Sequence, residues 1–184
     1  GDKFFLDPSL DEFEGNIDGV GVAYEDLHAD VRPGDILLLN DGQMTLSVDR
    51  IEGTRVHTTV VIGGVLSDHK GIHREGGGLS APALTDNDRS DIVFAAEMGM
   101  DYIAVSFVRS AEDVNEARRL VEKAGGRGKI IAKIERVEAL DCIDEIIAAS
   151  DAIMVARGDL GVEMGYAELT GMQKSIIRRT RYMN

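Results

Sequence analysis

With one cysteine, Cys142, among 184 residues, the chain has no means of forming an internal disulfide or a cysteine-built zinc site, which suits a reducing, cytoplasmic setting. No apolar run approaches the ~18 residues that a membrane helix requires, so an integral helical membrane protein is excluded. Basic charge is also short: 20 Lys and Arg stand against 33 Asp and Glu, for a net charge of −13. That balance argues against nucleic acid or a membrane surface as partner, and an anionic ligand would need a local positive site. The four histidines, His28, His57, His69 and His73, fall in no metal-ligand spacing and read as surface or turn residues. The chain opens on Gly1 rather than Met, shows no basic-then-apolar leader and carries no terminating signal at its end, as an excerpt of a longer protein would.

What is present, with 43% hydrophobic residues, suffices to bury a core and falls into two rhythms. Residues 1–80 carry 6 basic and 15 acidic residues, whereas 81–184 carry 14 and 18. In the first part, aliphatic and β-branched runs at 35–39, 44–51 and 55–62 are separated by Pro33-Gly34, Asn40-Asp41-Gly42, Glu52-Gly53 and Gly63-Gly64. This pattern predicts strands joined by tight turns, so residues 1–72 read as a small all-β module. Residues 73–84, with Gly76-Gly77-Gly78 and Pro82, read as a Gly-rich hinge; the run follows no strand-to-helix order of the phosphate-loop kind. Over 85–184 helix and strand patterns alternate. Thr85 and Ser110 are expected helix caps, answered at the third position by Asp88 and Asp113, with stops at Gly99 and Gly125-Gly126. Strands are expected at 102–108, 129–135 and 152–156, and further helices near 138–149 and 167–181. The order implies an α/β class with parallel strands and helical crossovers.

In such architectures ligands bind at the carboxyl ends of the strands, which directs attention to two of them. Period-two alternation puts Ile131, Lys133 and Glu135 on one face of their strand, so the ammonium and the carboxylate point the same way. The next strand runs into Ala156, Arg157, Gly158 and Asp159, placing a second carboxylate beyond its tip, next to a glycine that permits close backbone approach. Glu135 and Asp159 are candidate hard-oxygen ligands for Mg²⁺, with Lys133 stabilising anionic oxygens; a buried Lys-Glu ion pair serving only the fold is the alternative. Glu163 is a weaker candidate, since a Glu after a Gly-rich loop often just begins a helix. Lys174, Arg178, Arg179 and Arg181 load the end of the last helix with positive charge, and Cys142 reads as inert packing.

The segments IIAKIER (130–136) and MVARGDLGVE (154–163) resemble the two central signatures of pyruvate kinase. PGDILLLNDG (33–42) resembles that family's mobile lid, and HKGI (69–72) with GGGLSAPALT (76–85) the lid's return to the barrel, as in bacterial forms. The resemblance implies part of a (β/α)8 TIM barrel, about strands four to six, plus a small all-β barrel lid. It implies phosphoryl transfer from phosphoenolpyruvate to ADP, giving pyruvate and ATP, with Mg²⁺ or Mn²⁺ and with a K⁺ site outside this chain. Carried over residue by residue, Lys133 matches the stabilising catalytic lysine, and Glu135 and Asp159 match the metal ligands. Ala156, Arg157, Gly158 and Asp159 match the substrate-binding turn; Lys70 and Asp41 match lid residues at the nucleotide. His73 stands where Asn is common and Asn87 where Lys is common, both outside the central signatures. The resemblance further implies a homotetrameric parent, no nucleic-acid or membrane partner, and an isolated chain that is inactive because the early strands and a Thr-bearing segment lie elsewhere. Two other readings fit the residues: a Mg²⁺-dependent enolate lyase or aldolase on a similar barrel, against which the lid segment argues, and a non-catalytic truncated module.

Overall fold

Alternation between buried and exposed positions shapes the first part of the chain in the computed structural model, which describes residues 1–11 and 14–183. Two compact units emerge, Gly1–Ala81 and Pro82–Asn184.

Unit 1 is built from β1 (Lys3–Asp7), β2 (Gly19–Gly21), a short α1 (Leu27–Asp30), β3 (Ile36–Leu39), β4 (Met44–Glu52), β5 (Arg55–Ile62) and β6 (Ile72–Arg74). They form a six-stranded sheet of order β2-β1-β5-β4-β3-β6, in which only the β1–β2 pair is parallel. Along β4, Met44, Leu46 and Val48 are buried while Thr45 and Ser47 are only half so, the period of a strand with one covered face. The β3–β4 hairpin turns through Asn40, Asp41 and Gly42, all at positive φ, and Gln43 N–H closes it on the Asn40 carbonyl at 3.1 Å. Leu6, Leu37 and Val56 are fully enclosed in the core beneath, each worth roughly 1.5–3 kcal/mol relative to exposure.

The stretch expected as a hinge contributes to this sheet. His73 and Arg74 lie in β6, paired antiparallel with β3, because His73 can be buried there and Arg74 pairs with Asp35 at 3.0 Å. His73 is therefore an interior side chain, not the surface or turn residue that its sequence context suggests.

Unit 2 runs α2 (Asp86–Glu97), β7 (Tyr102–Val105), α3 (Ala111–Lys123), β8 (Lys129–Ile134), α4 (Glu138–Asp141), α5 (Ile143–Ala149), β9 (Ala152–Val155), α6 (Arg157–Met164) and α7 (Tyr166–Met183). The three strands form a parallel sheet, β7-β8-β9, as α/β alternation requires. Thr85 with Asp88, and Ser110 with Asp113, form reciprocal capping boxes at the starts of α2 and α3. Asp151 secures the far end of the sheet: its carboxylate accepts from Ile130 N–H at 2.8 Å and pairs with Arg118 at 2.9 Å.

One sheet face is sealed by helices through Val105, Ile130, Ala132 and Ile134. The other face carries Ala104, Ile131, Lys133 and Met154 and is only partly covered. That asymmetry leaves the charged face accessible at the strand ends, where a parallel sheet offers its site.

Three departures from the sequence pattern are local. The strand expected at 102–108 stops at Val105, the helix expected at 138–149 is broken at Cys142, and the segment after β9 forms α6 rather than a loop. At the break Cys142 adopts φ −124°, ψ 29°, and its thiol donates to the Arg109 carbonyl at 3.0 Å. Burial pushes that thiol's pKa up, with Glu145, Asp141 and Asp113 adding to the shift, so it remains a protonated packing group.

Candidate functional site

β8 delivers two charges to one place. Lys133, on the accessible face, and Glu135, one residue past the strand end, approach to 2.5 Å between Nζ and Oε1. Glu135 is 2% exposed, whereas the Lys133 side chain keeps 26% of its surface. A carboxylate this buried must be paired or hydrogen-bonded, and here it is both. Its Oε2 accepts the Phe107 N–H at 2.7 Å, and the Lys133 ammonium also donates to Ser106 Oγ at 2.7 Å.

Ser106 and Phe107 follow β7 directly, and neither is marked by sequence reasoning. The pairing of Val105 with Ala132, extended by one residue, sets Ser106 beside Lys133 on the same face, a signal that period two did contain. Phe107 gave no signal. It adopts φ +54°, a left-handed conformation that costs a bulky side chain on the order of 1–2 kcal/mol. A hydrogen bond from its N–H to a buried carboxylate is worth roughly 1.5–3 kcal/mol, enough to offset that strain.

β9 supplies the neighbouring tip. Ile134 pairs with Val155, and Ala156 N–H donates to the Ile134 carbonyl at 3.1 Å, so the chain leaves β9 level with Glu135. Ala156 then starts α6 without a side-chain cap, while Arg157, Gly158 and Asp159 form the helix's first turn. A Cβ added at Gly158 would meet nothing within 4 Å, which makes this turn open to close approach. An uncapped first turn presents backbone N–H groups and the positive end of the helix dipole, a setting that favours an anion. Asp159 stands in this turn, half-buried.

Glu163 closes α6 instead of opening a helix: it is buried, and its Oε2 accepts Val137 N–H at 3.0 Å, tying α6 to the start of α4. Beside it Arg136, also buried, reaches Glu138 at 3.2 Å. These groups brace the loop between β8 and α4 from below. Arg179, from the basic end of α7, pairs with Asp144 at 3.0 Å, a contact between helices.

Lys70 and Asp41 belong to unit 1. Both are exposed, and Asn40 N–H donates to the Gly71 carbonyl at 3.2 Å, which continues the β3–β6 pairing so that the two residues flank the same end of that sheet. The structure thus brings Lys133 and Glu135 together, sets the 156–159 turn on the adjacent strand, and leaves Lys70 and Asp41 exposed at one end of the β3–β6 pair in the other unit.

As to metal fit, the donors are hard carboxylate oxygens. Glu135 has about four acceptor positions and uses two of them, on Lys133 and Phe107. Its remaining capacity suits a divalent cation shared with substrate oxygens, and Asp159, in the turn that follows the adjacent strand, is a second hard carboxylate. No group of three or more His, Cys, Asp or Glu arranged for a metal occurs among the described residues.

Comparison with known proteins gives a consistent result. A family model described as "Pyruvate kinase, barrel domain" matches residues 2–184. The chain is similar to "Pyruvate kinase II" of Salmonella typhimurium, 56% identical over 187 residues that cover 100% of this chain and 39% of the relative. It is 54% identical to "Pyruvate kinase" of Haemophilus influenzae over the same coverage, and 46% identical to that of Mycobacterium intracellulare across 91% of this chain and 36% of the relative. The chain spans about two fifths of the length of the first two of these relatives. Among its described residues, no helix is long and apolar enough to cross a membrane.

Proposed function

The chain belongs to the pyruvate kinase family, and we propose that it carries the central phosphoryl-transfer residues of a longer cytoplasmic glycolytic phosphotransferase acting on phosphoenolpyruvate and ADP. The observation that carries this reading is the buried Glu135 at the tip of β8, paired with Lys133 at 2.5 Å and level with the uncapped turn that follows β9.

In this reading Glu135 and Asp159 hold one Mg²⁺ or Mn²⁺, and K⁺ is bound by other parts of the enzyme. When bound, the divalent ion supplies positive charge against phosphoryl and enolate oxygens. Lys133 aims its ammonium at the oxygen from which the phosphoryl group departs, stabilising negative charge as the bond to the enol oxygen breaks and that to the ADP β-phosphate oxygen forms. Protonation of the resulting enolate carbon gives pyruvate. The first-turn N–H groups of Arg157 and Gly158, in the turn that Ala156 opens, hold the substrate carboxylate, with Asp159 beside them. Lys70 and Asp41 serve the nucleotide, Lys70 as a point charge for phosphate oxygens. Catalysis of this kind is positioning plus charge stabilisation, so residues contributed by the rest of the enzyme are required and the 184-residue chain alone does not turn over. Residues 1–72 act as the lid and 85–184 as part of the catalytic barrel in a homotetrameric parent.

The test is Mn²⁺ titration of the full-length enzyme followed by electron paramagnetic resonance. Glu135→Gln and Asp159→Asn are each expected to weaken binding by about 10-fold or more, as loss of a charged ligand should. Wild-type affinity in both variants would sink the assignment.

A further inference from the structure

The groups that hold Lys133 and Glu135 from the side of β7 are neighbours in sequence. Ser106 Oγ accepts from Lys133 Nζ, and Phe107 N–H donates to Glu135 Oε2, each at 2.7 Å. We infer that Ser106 and Phe107 are paired positioning residues, Ser106 aiming the ammonium and Phe107 aiming the carboxylate through its backbone N–H; this rests on the roles of Lys133 and Glu135 given above.

The stoichiometry of donors supports the pairing. An ammonium has three N–H bonds, and Ser106 and Glu135 take two of those of Lys133, which leaves one for a substrate oxygen. Glu135 Oε2, fixed by Phe107, has a further acceptor position, as does Oε1. Without Ser106 the ammonium would collapse onto Glu135 as its single strong partner.

The backbone of this short segment is clamped at both ends. Val105 and Val108 are buried in the core, and Arg109 N–H and Ser110 N–H both donate to Asp113 at 2.9 Å. Between these anchors Phe107 turns to φ +54° while the residue stays 43% exposed. Since packing makes little use of the ring, the left-handed turn is explained by the direction it gives the N–H.

The experiment uses the full-length enzyme with Mn²⁺ alone as probe, read by electron paramagnetic resonance, and steady-state turnover as a second readout. Phe107→Gly keeps the N–H and tolerates positive φ, whereas Phe107→Val keeps the N–H but resists that conformation. Mn²⁺ binding is expected to weaken about 10-fold in Phe107→Val and to stay within about twofold of wild type in Phe107→Gly. If Phe107→Val does not fold, Phe107→Ala takes its place, with a loss lying between the two. Ser106→Ala is expected to lower kcat about 10-fold while Mn²⁺ affinity and the KM for phosphoenolpyruvate hold, and Ser106→Thr to restore turnover. Equal weakening in Phe107→Gly and Phe107→Val would assign the effect to the ring and overturn the role of the N–H. Unchanged kcat in Ser106→Ala would overturn that of the hydroxyl. The underlying reading fails separately, through wild-type Mn²⁺ binding in Glu135→Gln.

Discussion

In each unit a carboxylate is buried against a cation, and these two are partnered differently. Asp7 in unit 1 and Glu135 in unit 2 are both 2% exposed. Asp7 accepts four hydrogen bonds: Ser9 N–H at 3.0 Å, Ser9 Oγ at 2.7 Å and Thr54 Oγ1 at 3.3 Å on Oδ1, and Arg55 Nε at 2.8 Å on Oδ2. Four bonds from groups of its own unit engage both its oxygens, twice as many as Glu135 accepts, the condition of a charge that serves the fold. Glu135 has two partners, one of them a half-buried lysine on an accessible strand face. Burial alone therefore does not mark a functional carboxylate. In the proposed reading, burial with acceptor positions left over, at the carboxyl end of a parallel strand, is what sets Glu135 apart.

The sharpest way to break this contrast is to remove the cation on each side. Lys133→Met in the full-length enzyme is expected to lower kcat by on the order of 10²-fold or more, since one preorganised stabiliser of developing charge is lost. Arg55→Met is expected to leave turnover near wild type but to destabilise the fold by roughly 1.5–3 kcal/mol, the worth of a hydrogen bond to a charged group. Loss of the guanidinium also removes a cation stacked 4.3 Å from the Phe5 ring centroid. Coupled pyruvate assays and chemical denaturation read the two effects. Near-normal turnover in Lys133→Met would make Glu135 as structural as Asp7.

A second test compares the cores. Leu37→Ala in unit 1 and Ile130→Ala in unit 2 each empty a fully buried site and are expected to cost about 2–5 kcal/mol. If the units are separate cooperative bodies, denaturation of the 184-residue chain will show two transitions, each variant shifting only one. A single transition moved by both variants would remove the distinction.

The same division governs what the sequence disclosed. The capping boxes at Thr85 and Ser110 and the hairpin turn at Asn40-Asp41-Gly42 were legible because each is a contract among residues three or four apart. The Lys133–Glu135 pair was legible because period two decides which side chains share a strand face. β1 and β2 were not, since what makes Lys3–Asp7 a strand is its pairing with β5, some fifty residues on. β6 was hidden in a glycine-rich stretch for the same reason, its partner being β3. α6 was missed because Ala156 offers no capping side chain and its first turn contains Gly158. Phe107 was invisible for a different reason: a left-handed phenylalanine contradicts local preference and is fixed by a carboxylate 28 residues away.

Removing a cap sharpens the comparison at smaller scale. Ser110→Ala is expected to cost about 1 kcal/mol, because the Asp113 N–H loses its acceptor while the Asp113 carboxylate still accepts from the backbone at 109 and 110. The effect should appear only in the transition assigned to unit 2. A shift in unit 1 would mean that the two transitions were misassigned.

The smallest expected effect is read by pH and concerns Asp7. Burial by itself would raise its pKa, but the hydrogen bonds from Ser9, followed by the bond and charge of Arg55, outweigh that and hold it at about 2, against an ordinary value of 3.8. Because the folded value lies below the unfolded one, the unfolded state binds the proton more readily, and stability must fall as acid is added. The contribution of Asp7 is complete above about pH 4 and is lost progressively as pH drops towards about 2. Other carboxylates titrate in the same range, so the informative quantity is the difference in melting temperature between wild type and Asp7→Asn. Asn retains shape and some hydrogen bonds but carries no charge to protonate. That difference is expected to be a few degrees at pH 6, on the order set by ~1 kcal/mol in a unit of this size, and to shrink towards zero between pH 4 and pH 2. A difference that stays constant across this range would show that the ionised carboxylate contributes nothing beyond its shape, and Asp7 would then no longer stand as the structural counterpart of Glu135.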